Sequence, residues 1–520
     1  MSVLTQQLRY WELLYHLVNK EGMRVVHLSK SDGEAWLEDD RKEPYQIIRV
    51  CRKELDWSRE LRSDIKETEQ KAKQVRKKLG LRQANVVSII VTKYPPVDTY
   101  EELVDQPLPL TAGGKQQLRT ILLTEDSLQS VMFPLATEWG LKETPDFLPV
   151  DALQDEEEMV RMLKRHVNRA ANTRIEDERK LFFYGKPFFT FFLLASILAM
   201  FALVEQAGSS TDIRTLIEFG AKFNPLIHDG EWWRFFSAMF LHIGFLHLFM
   251  NSLALFYLGG AVERIFGTRR FILIYFVAGL TGSVASFAFN EQVSAGASGA
   301  IFGCFGALLY FGLKHRRLFF RTMGMNVIVI LVINLSLGFL VPMIDNGAHI
   351  GGLVGGFLAS AIVNLPTSPF RLKRRILALL VTTIGVGGLM AYGFVKPTDG
   401  SGSLAYAQIG QEYFQEENYS EARRYLTLAV EADVQMKEVY FLLGNTYAME
   451  DQVEEAEPYY KRAIELDPEF APAHYNLSLV YYQTGRIDEA KRSVEQARSL
   501  DPENSQFREF QQELQTNHPS

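Results

Sequence analysis

The chain has 520 residues, of which 22% are charged and 47% hydrophobic, with a formal net charge of −7; that length excludes a single hydrophobic core and points to several domains. Its two cysteines, Cys51 and Cys304, exclude a disulfide framework. Mean hydropathy is close to zero, yet this average conceals two polar ends around an apolar middle from about 187 to 394.

The first residues carry no basic stretch followed by an apolar run, so no cleavable signal peptide is expected and the N-terminal part is expected to stay in the cytosol. Residues 1–180 read as a soluble α/β domain, with strands at 23–28, 35–38, 45–50 and 85–92 and a charged helix over 56–79 that Gly80 stops. The order helix, three strands, helix, strand also occurs in nuclease-like folds. Fold analogy does not establish function, and no carboxylate and lysine set supports that chemistry, so a structural or regulatory role is expected and no nucleic-acid partner. The run Asp155, Glu156, Glu157, Glu158 has the ligand type for a divalent cation, although acidic helix faces usually only solvate.

Apolar stretches long enough to cross about 30 Å of hydrocarbon lie at about 187–205, 236–258, 270–289, 298–314, 325–343, 347–365 and 376–394, which predicts seven spans. Arg174, Arg179, Lys180 and Lys186 precede the first; Arg264, Arg269 and Arg270 separate the second and third. Lys314, Arg316, Arg317 and Arg321 follow the fourth, and Arg371, Lys373, Arg374 and Arg375 follow the sixth. The alternate loops are poor in positive charge, so the N-terminus is expected inside and the C-terminus outside.

Polar and ionisable side chains are costly inside hydrocarbon and usually mark a site facing protein or water. Ser298 opens the fourth span within Gly296-Ala297-Ser298-Gly299, and His349 opens the sixth within Ala348-His349-Ile350-Gly351-Gly352. Both are therefore expected at similar depth on the outer side. A serine that hydrolyses a peptide bond needs a base within hydrogen-bonding reach and donors for the oxyanion. His349 is the only histidine in the last four spans. Gly296 and Gly299 allow a sharp turn into a helix whose free N–H groups meet the developing oxyanion. Gly352 and Gly356, four apart, put a smooth face on the sixth helix so that the fourth packs closely. His247 and Asn251 share a helix face at the outer end of the second span and offer a further donor pair. His242 is expected to tie down the loop; five-residue spacing and the lack of a nearby carboxylate argue against a metal held by His242 and His247.

From Ser403 onward the sequence repeats itself with a period of about 34 residues, that of a helix-turn-helix array. Gly410 and Gly444 align with Ser478, Tyr413 with Tyr447 and Tyr481, Ala422 with Ala456 and Ala490, and Ala429 with Ala463 and Ala497, while Pro468 and Pro502 end units. Small residues let paired helices approach and the tyrosines fill the groove between them. A last helix near 502–514 would cap the array. The array carries 22 Asp and Glu against 10 Lys and Arg, a net of −12, which suits peptide partners of basic character as well as plain solvation.

H-x-x-x-x-H-x-x-x-N in the second span, G-x-S-G in the fourth and A-H-x-x-G-x-x-x-G in the sixth, in that order, make residues 180–394 resemble the rhomboid intramembrane serine proteases, and the repeated C-terminal units resemble tetratricopeptide repeats. Together with the patterning and loop charges above, the resemblance gives a multi-domain chain: a soluble cytosolic α/β domain over 1–180, a seven-helix transmembrane bundle over 181–396, and an extracytoplasmic all-α tetratricopeptide solenoid over 403–516. The resemblance implies Ser298 as nucleophile, His349 as base, and His247, Asn251 and the Ser298 N–H as oxyanion donors. It further places Trp233 and Arg234 in a loop at the outer leaflet beside the site, Glu263 in a structural hydrogen-bonding role, and Phe302 against the histidine ring. The implied substrates are transmembrane proteins cut near the outer leaflet, with small residues at the cut and neither metal nor cofactor. Membrane lipid and peptide or protein ligands of the repeats are the other partners expected, in a bacterial cell membrane. Two rivals are a catalytically silent membrane-protein binder on the same bundle and a channel with His349 in its pathway. Retention of both dyad residues and both donor side chains favours the enzyme over the first, and the scarcity of charge inside the spans disfavours the second.

Overall fold

The computed structural model describes residues 2–517 apart from 30, 42, 43, 82, 112–114, 150–154, 342, 367, 397–402, 433 and 434. It divides into two compact units, Met1–Phe182 with Arg317–Met323, and Phe183–Arg316 with Gly324–Ser520.

In the first unit, α1 (Val3–Tyr15) precedes β1 (Arg24–Leu28), β2 (Glu34–Glu38) and β3 (Ile47–Arg52). Then come α2 (Ser58–Lys78), β4 (Val86–Val91), β5 (Leu108–Pro109), β6 (Gln117–Leu123), α3 (Leu128–Trp139) and α4 (Glu156–Phe182). The six strands lie in the order β1-β2-β3-β4-β6-β5, with β3, β4 and β6 parallel and the remaining pairs antiparallel. Period-two alternation divides the apolar residues between two faces. Ile48, Val50, Val87 and Ile89 pack with Leu8, Trp11 and Leu14 of α1, whereas Ile47, Cys51, Val86 and Ile90 pack with Leu61, Ile65 and Ala72 of α2. β5 and β6 add two strands to the four read from the sequence.

Buried Arg49 donates to Glu34 and Asp64, both at 2.6 Å, and to Ser88 at 3.1 Å, while Lys53 and Lys71 hold the same carboxylates at 3.0 Å. These charges are paired with one another, as buried charges must be. Asp155 accepts from the Glu158 N–H at 3.0 Å and so caps the start of α4. Among the described residues, no cluster of three or more His, Cys, Asp or Glu side chains is placed to hold a metal ion.

The second unit begins with α5 (Phe188–Ala207), α6 (Ile213–Glu218), α7 (Gly244–Phe266, with a π-helical turn over Leu255–Gly259) and α8 (Thr268–Phe289). It continues with α9 (Ser298–Lys314), α10 (Gly324–Leu340), α11 (Asn346–Val363) and α12 (Leu372–Val395). Among the described residues five of these, α5, α7, α8, α11 and α12, are long and apolar enough to cross a membrane; the number rises to six only if α10 and the short helix Arg316–Thr322 before it form one span, and α9 is a shorter apolar helix. The second span starts eight residues later than its hydropathy suggests. Gly244 adopts φ of +74° and Ile243 is extended, so the upstream apolar run folds into the short turns Arg234–Ser237 and Ala238–Phe240 instead of joining α7. His242 therefore sits in the loop before the helix and not on the span.

Three helix pairs follow: α13 (Ser403–Gln415) with α14 (Tyr419–Glu431), α15 (Lys437–Met449) with α16 (Val453–Leu466), and α17 (Ala471–Gln483) with α18 (Ile487–Leu500), then α19 (Ser505–Asn517). The aligned alanines 422, 429, 456, 463, 490 and 497 are fully buried. A Cβ on Gly410 would lie 2.6 Å from Leu426, and one on Gly444 would lie 2.7 Å from Tyr460, which is why these positions stay small. Tyr413 stacks on Tyr425 and Tyr447 on Tyr459, with centroids 5.5 and 5.2 Å apart.

Candidate active site

Ser298 is the first residue of α9, so its own N–H and those after it have no partner within the helix and point out of its start. Gly296, at φ of +151°, makes the turn into that helix, a backbone state that L side chains rarely adopt. The turn is held from behind: the Gly296 N–H donates to the Ala238 carbonyl at 2.9 Å, and the Ala297 N–H to His242 Nε2 at 3.4 Å. Burial, and then His247, lower the pKa of His242 to about 3, which keeps the ring neutral as an acceptor must be.

Glycine brings the helix that carries His349 against the helix that Ser298 opens. A Cβ on Gly352 would stand 1.9 Å from the Gly299 carbonyl oxygen and one on Gly356 2.1 Å from that of Gly303, so α9 and α11 meet backbone to backbone. Gly282 of α8 closes the same junction, its Cβ position 2.8 Å from the Ala348 carbonyl. In this arrangement the buried His349 ring stacks on Phe302, one turn after Ser298, with centroids 4.0 Å apart and planes at 11°. That stack fixes the ring plane, and among the described residues His349 Nδ1 has no hydrogen-bond partner.

On the other side, a Cβ on Gly296 would lie 2.8 Å from His247 Cε1, and His247 packs edge-on to His242 with centroids 5.2 Å apart. Asn251 is buried one turn along α7 from His247. The structure thus gathers Ser298, His349, Phe302, His242 and His247 around one glycine-lined junction, with Asn251 on the same helix face as His247.

Three other sequence candidates serve the frame. Arg234 is buried and donates to the carbonyls of Ile217 at 2.6 Å and Ala221 at 3.1 Å and to Glu231 at 2.7 Å, pinning the loop after α6. Trp233 lies half exposed beside Gly220, its ring under the Arg234 guanidinium at 4.8 Å. Fully buried Glu263 accepts from the Phe189 and Thr190 N–H groups at 2.9 and 2.8 Å and from the Thr190 and Thr268 hydroxyls, each at 2.7 Å, joining the start of α5 to α8.

Sequence reasoning missed Lys222, Asp345, Ser286 and Gly282. Lys222 is buried, with Nζ donating to Asn224 at 3.1 Å and to the carbonyls of Asn290 at 2.6 Å and Gln292 at 2.8 Å. Burial lowers its pKa to about 8 against the pull of Asp345, which still leaves it mostly charged at neutral pH. Asp345 accepts from the Ala348 N–H at 2.9 Å and from the Ser286 hydroxyl, so it caps the helix that carries His349. Burial alone would raise the Asp345 pKa; Lys222, Ser286 and the Ala348 N–H together hold it below the ordinary carboxylate range. An aspartate three residues before the first turn's Ala348 is a readable N-cap signal. Lone Lys222 offers none. Lys222 and Ser286 border a cavity of about 20 Å³ that Ser298, Gly296, Ser283 and Ser294 also line, enough for one water.

A hydroxyl at a helix start, an imidazole on the neighbouring helix, donors on a third and room for one water make up the parts needed for acyl transfer to water. Comparison with known proteins gives matches of the same kind. Residues 229–365 match the rhomboid domain family model, and residues 408–471 and 448–514 match two tetratricopeptide repeat models. The rhomboid protease GluP of Bacillus subtilis is 40% identical over 418 residues, which is 80% of this chain and 80% of that protein. RHOMBOID-like protein 5 of Arabidopsis thaliana is 41% identical over 29% of this chain and 51% of its own. The putative rhomboid protease YdcA of Bacillus subtilis is 37% identical over 26% of this chain and 70% of its own.

Proposed function

The chain belongs to the rhomboid family of intramembrane serine proteases, and on that premise we propose that it cleaves transmembrane segments of membrane proteins near the outer leaflet through a Ser298/His349 dyad. Ser298 Oγ attacks the scissile carbonyl carbon while His349 takes its proton. The tetrahedral oxyanion is held by the Ser298 N–H with His247 and Asn251, and collapse expels the amine, which receives the proton from His349. Water, drawn through the serine-lined cavity, then attacks the acyl-enzyme by the same base and returns Ser298. The observation that carries this reading is the His349 ring stacked at 4.0 Å on Phe302, one turn after Ser298, across a helix contact that only glycine permits.

The proposal assigns seven spans, the fourth of them the short α9, with residues 1–180 cytoplasmic and the repeats extracytoplasmic, on the asymmetry of Lys and Arg between loops. A bacterial cell membrane is the proposed location. The repeats are proposed to take peptide or protein ligands, and residues 1–180 to regulate or support the protease.

The test is cleavage of a single-span model substrate reconstituted with the protein in liposomes, with the products weighed by mass spectrometry. The expected result is two fragments cut within or next to the outer third of the span by the wild type and none by Ser298→Ala. Equal product from both would remove the proposal, and no product from either would favour the silent binder.

A further inference from the structure

Stacked repeats protect one another's faces, and the first repeat of an array has no preceding repeat to cover it. Inside this array the covering contacts recur. Arg423, on the second helix of the first repeat, lies over the Tyr447 ring at 5.4 Å and pairs with Glu450 at 2.7 Å. Lys461, on the second helix of the next repeat, lies over Tyr481 at 5.9 Å, and Tyr481 stands one full repeat after Tyr447.

The first repeat is covered in the same way by a piece of the protease. Tyr413 stands one full repeat before Tyr447, and Arg214 of α6 lies over its ring at 4.8 Å. Glu416 stands one full repeat before Glu450, and Arg214 grips both its carboxylate oxygens at 3.0 Å. Tyr406, the counterpart of Tyr440 in the repeat register, meets Phe223 edge-on with centroids 5.1 Å apart. Tyr440 belongs to a small core against which Val430 of the preceding α14 packs, whereas Tyr406 shares a buried core with Ile217 and Phe223.

We infer that α6 and the loop after it are the N-terminal cap of the repeat array, standing where the second helix of a preceding repeat would stand. The loop that caps the array also holds the loop of Ser298. Lys222, next to Phe223, exchanges backbone hydrogen bonds with Ser294 at 2.9 and 3.0 Å, and its Nζ takes the Asn290 and Gln292 carbonyls. Ser294 lies four residues before Ser298. The array is accordingly a positioning element for the catalytic loop, with Arg214 and Phe223 as positioning residues, besides whatever it binds. Its effect on turnover rests on the protease reading; the cap itself does not.

Hydrogen exchange by mass spectrometry on the full chain in lipid, carried out in the Ser298→Ala background, separates the two. Arg214→Glu places a carboxylate against Glu416 and is expected to speed exchange roughly tenfold in 403–415, 213–223 and 292–295, and the swap Arg214→Glu with Glu416→Arg is expected to restore protection. With Ser298 in place, kcat on a substrate that is only a transmembrane segment should fall several-fold at nearly constant KM in Arg214→Glu and recover in the swap. Unchanged exchange in 213–223 and 403–415, or no recovery in the swap, would overturn the cap. Faster exchange that stops short of 292–295, or an unchanged kcat in a cleaving enzyme, would overturn the positioning role. Exchange as expected together with a wild type that cleaves nothing would count against the protease reading alone.

Discussion

Ser298→Ala, His349→Ala and the double variant are expected to fall to one common floor, on the order of 10⁴-fold or more below the wild-type initial rate in liposomes. Residues that act as a unit in nucleophilic catalysis are non-additive, because without either one the covalent step is lost and only binding and oxyanion stabilisation remain. Asn251→Ala tests the same rate at a different point. It leaves nucleophile and base intact and removes one oxyanion donor, so a loss of about 10²-fold in kcat is expected. A double variant markedly slower than Ser298→Ala would mean that the two side chains act separately.

The second large effect is expected from one methyl group. Gly352→Ala puts a Cβ 1.9 Å from the carbonyl oxygen of Gly299 and 2.6 Å from its carbonyl carbon, both of them backbone atoms. Neither can rotate aside, so α9 and α11 must part. Overpacking of this kind costs about 1–3 kcal/mol, and displacing reacting groups by about 1 Å costs roughly 10²-fold in rate. A fall in kcat of about 100-fold with a lowered Tm is therefore expected, measured by cleavage and thermal unfolding in detergent. Gly387→Ala is the control, since nothing lies within 4 Å of a Cβ there. It should leave both quantities close to wild type, and a wild-type rate for Gly352→Ala would show that the close approach of α9 and α11 does not set the site.

Sequence reasoning found what depends on local pattern. Ser298 and His349 stand out because a polar residue in an apolar run is rare and glycines four apart mark a close helix face. The array was legible because its alanines and tyrosines recur at a fixed period, and the structure buries or stacks them at those places. The start of α7 was hidden because hydropathy is continuous through Phe235 to Leu248, and only the backbone turn at Gly244 separates loop from helix. β6 escaped because Gln117–Leu123 alternates only in part between buried and exposed residues. Lys222 carried no signal, since what makes it important is three acceptors, two of them 68 and 70 residues away. The joint between Arg214 and Glu416 spans 202 residues and joins segments that the sequence assigns to different domains.

The central claim is that Ser298 is a nucleophile activated by His349, and covalent labelling reads that property without reference to any substrate. A fluorophosphonate transfers its phosphonyl group to an activated serine: the Oγ–P bond forms, fluoride leaves, and the base accepts the proton. Peptide mass mapping of the labelled protein in lipid is predicted to find one adduct, on Ser298, and to find it lost in His349→Ala. An adduct on another serine, or equal labelling of Ser298 in wild type and His349→Ala, would contradict the dyad.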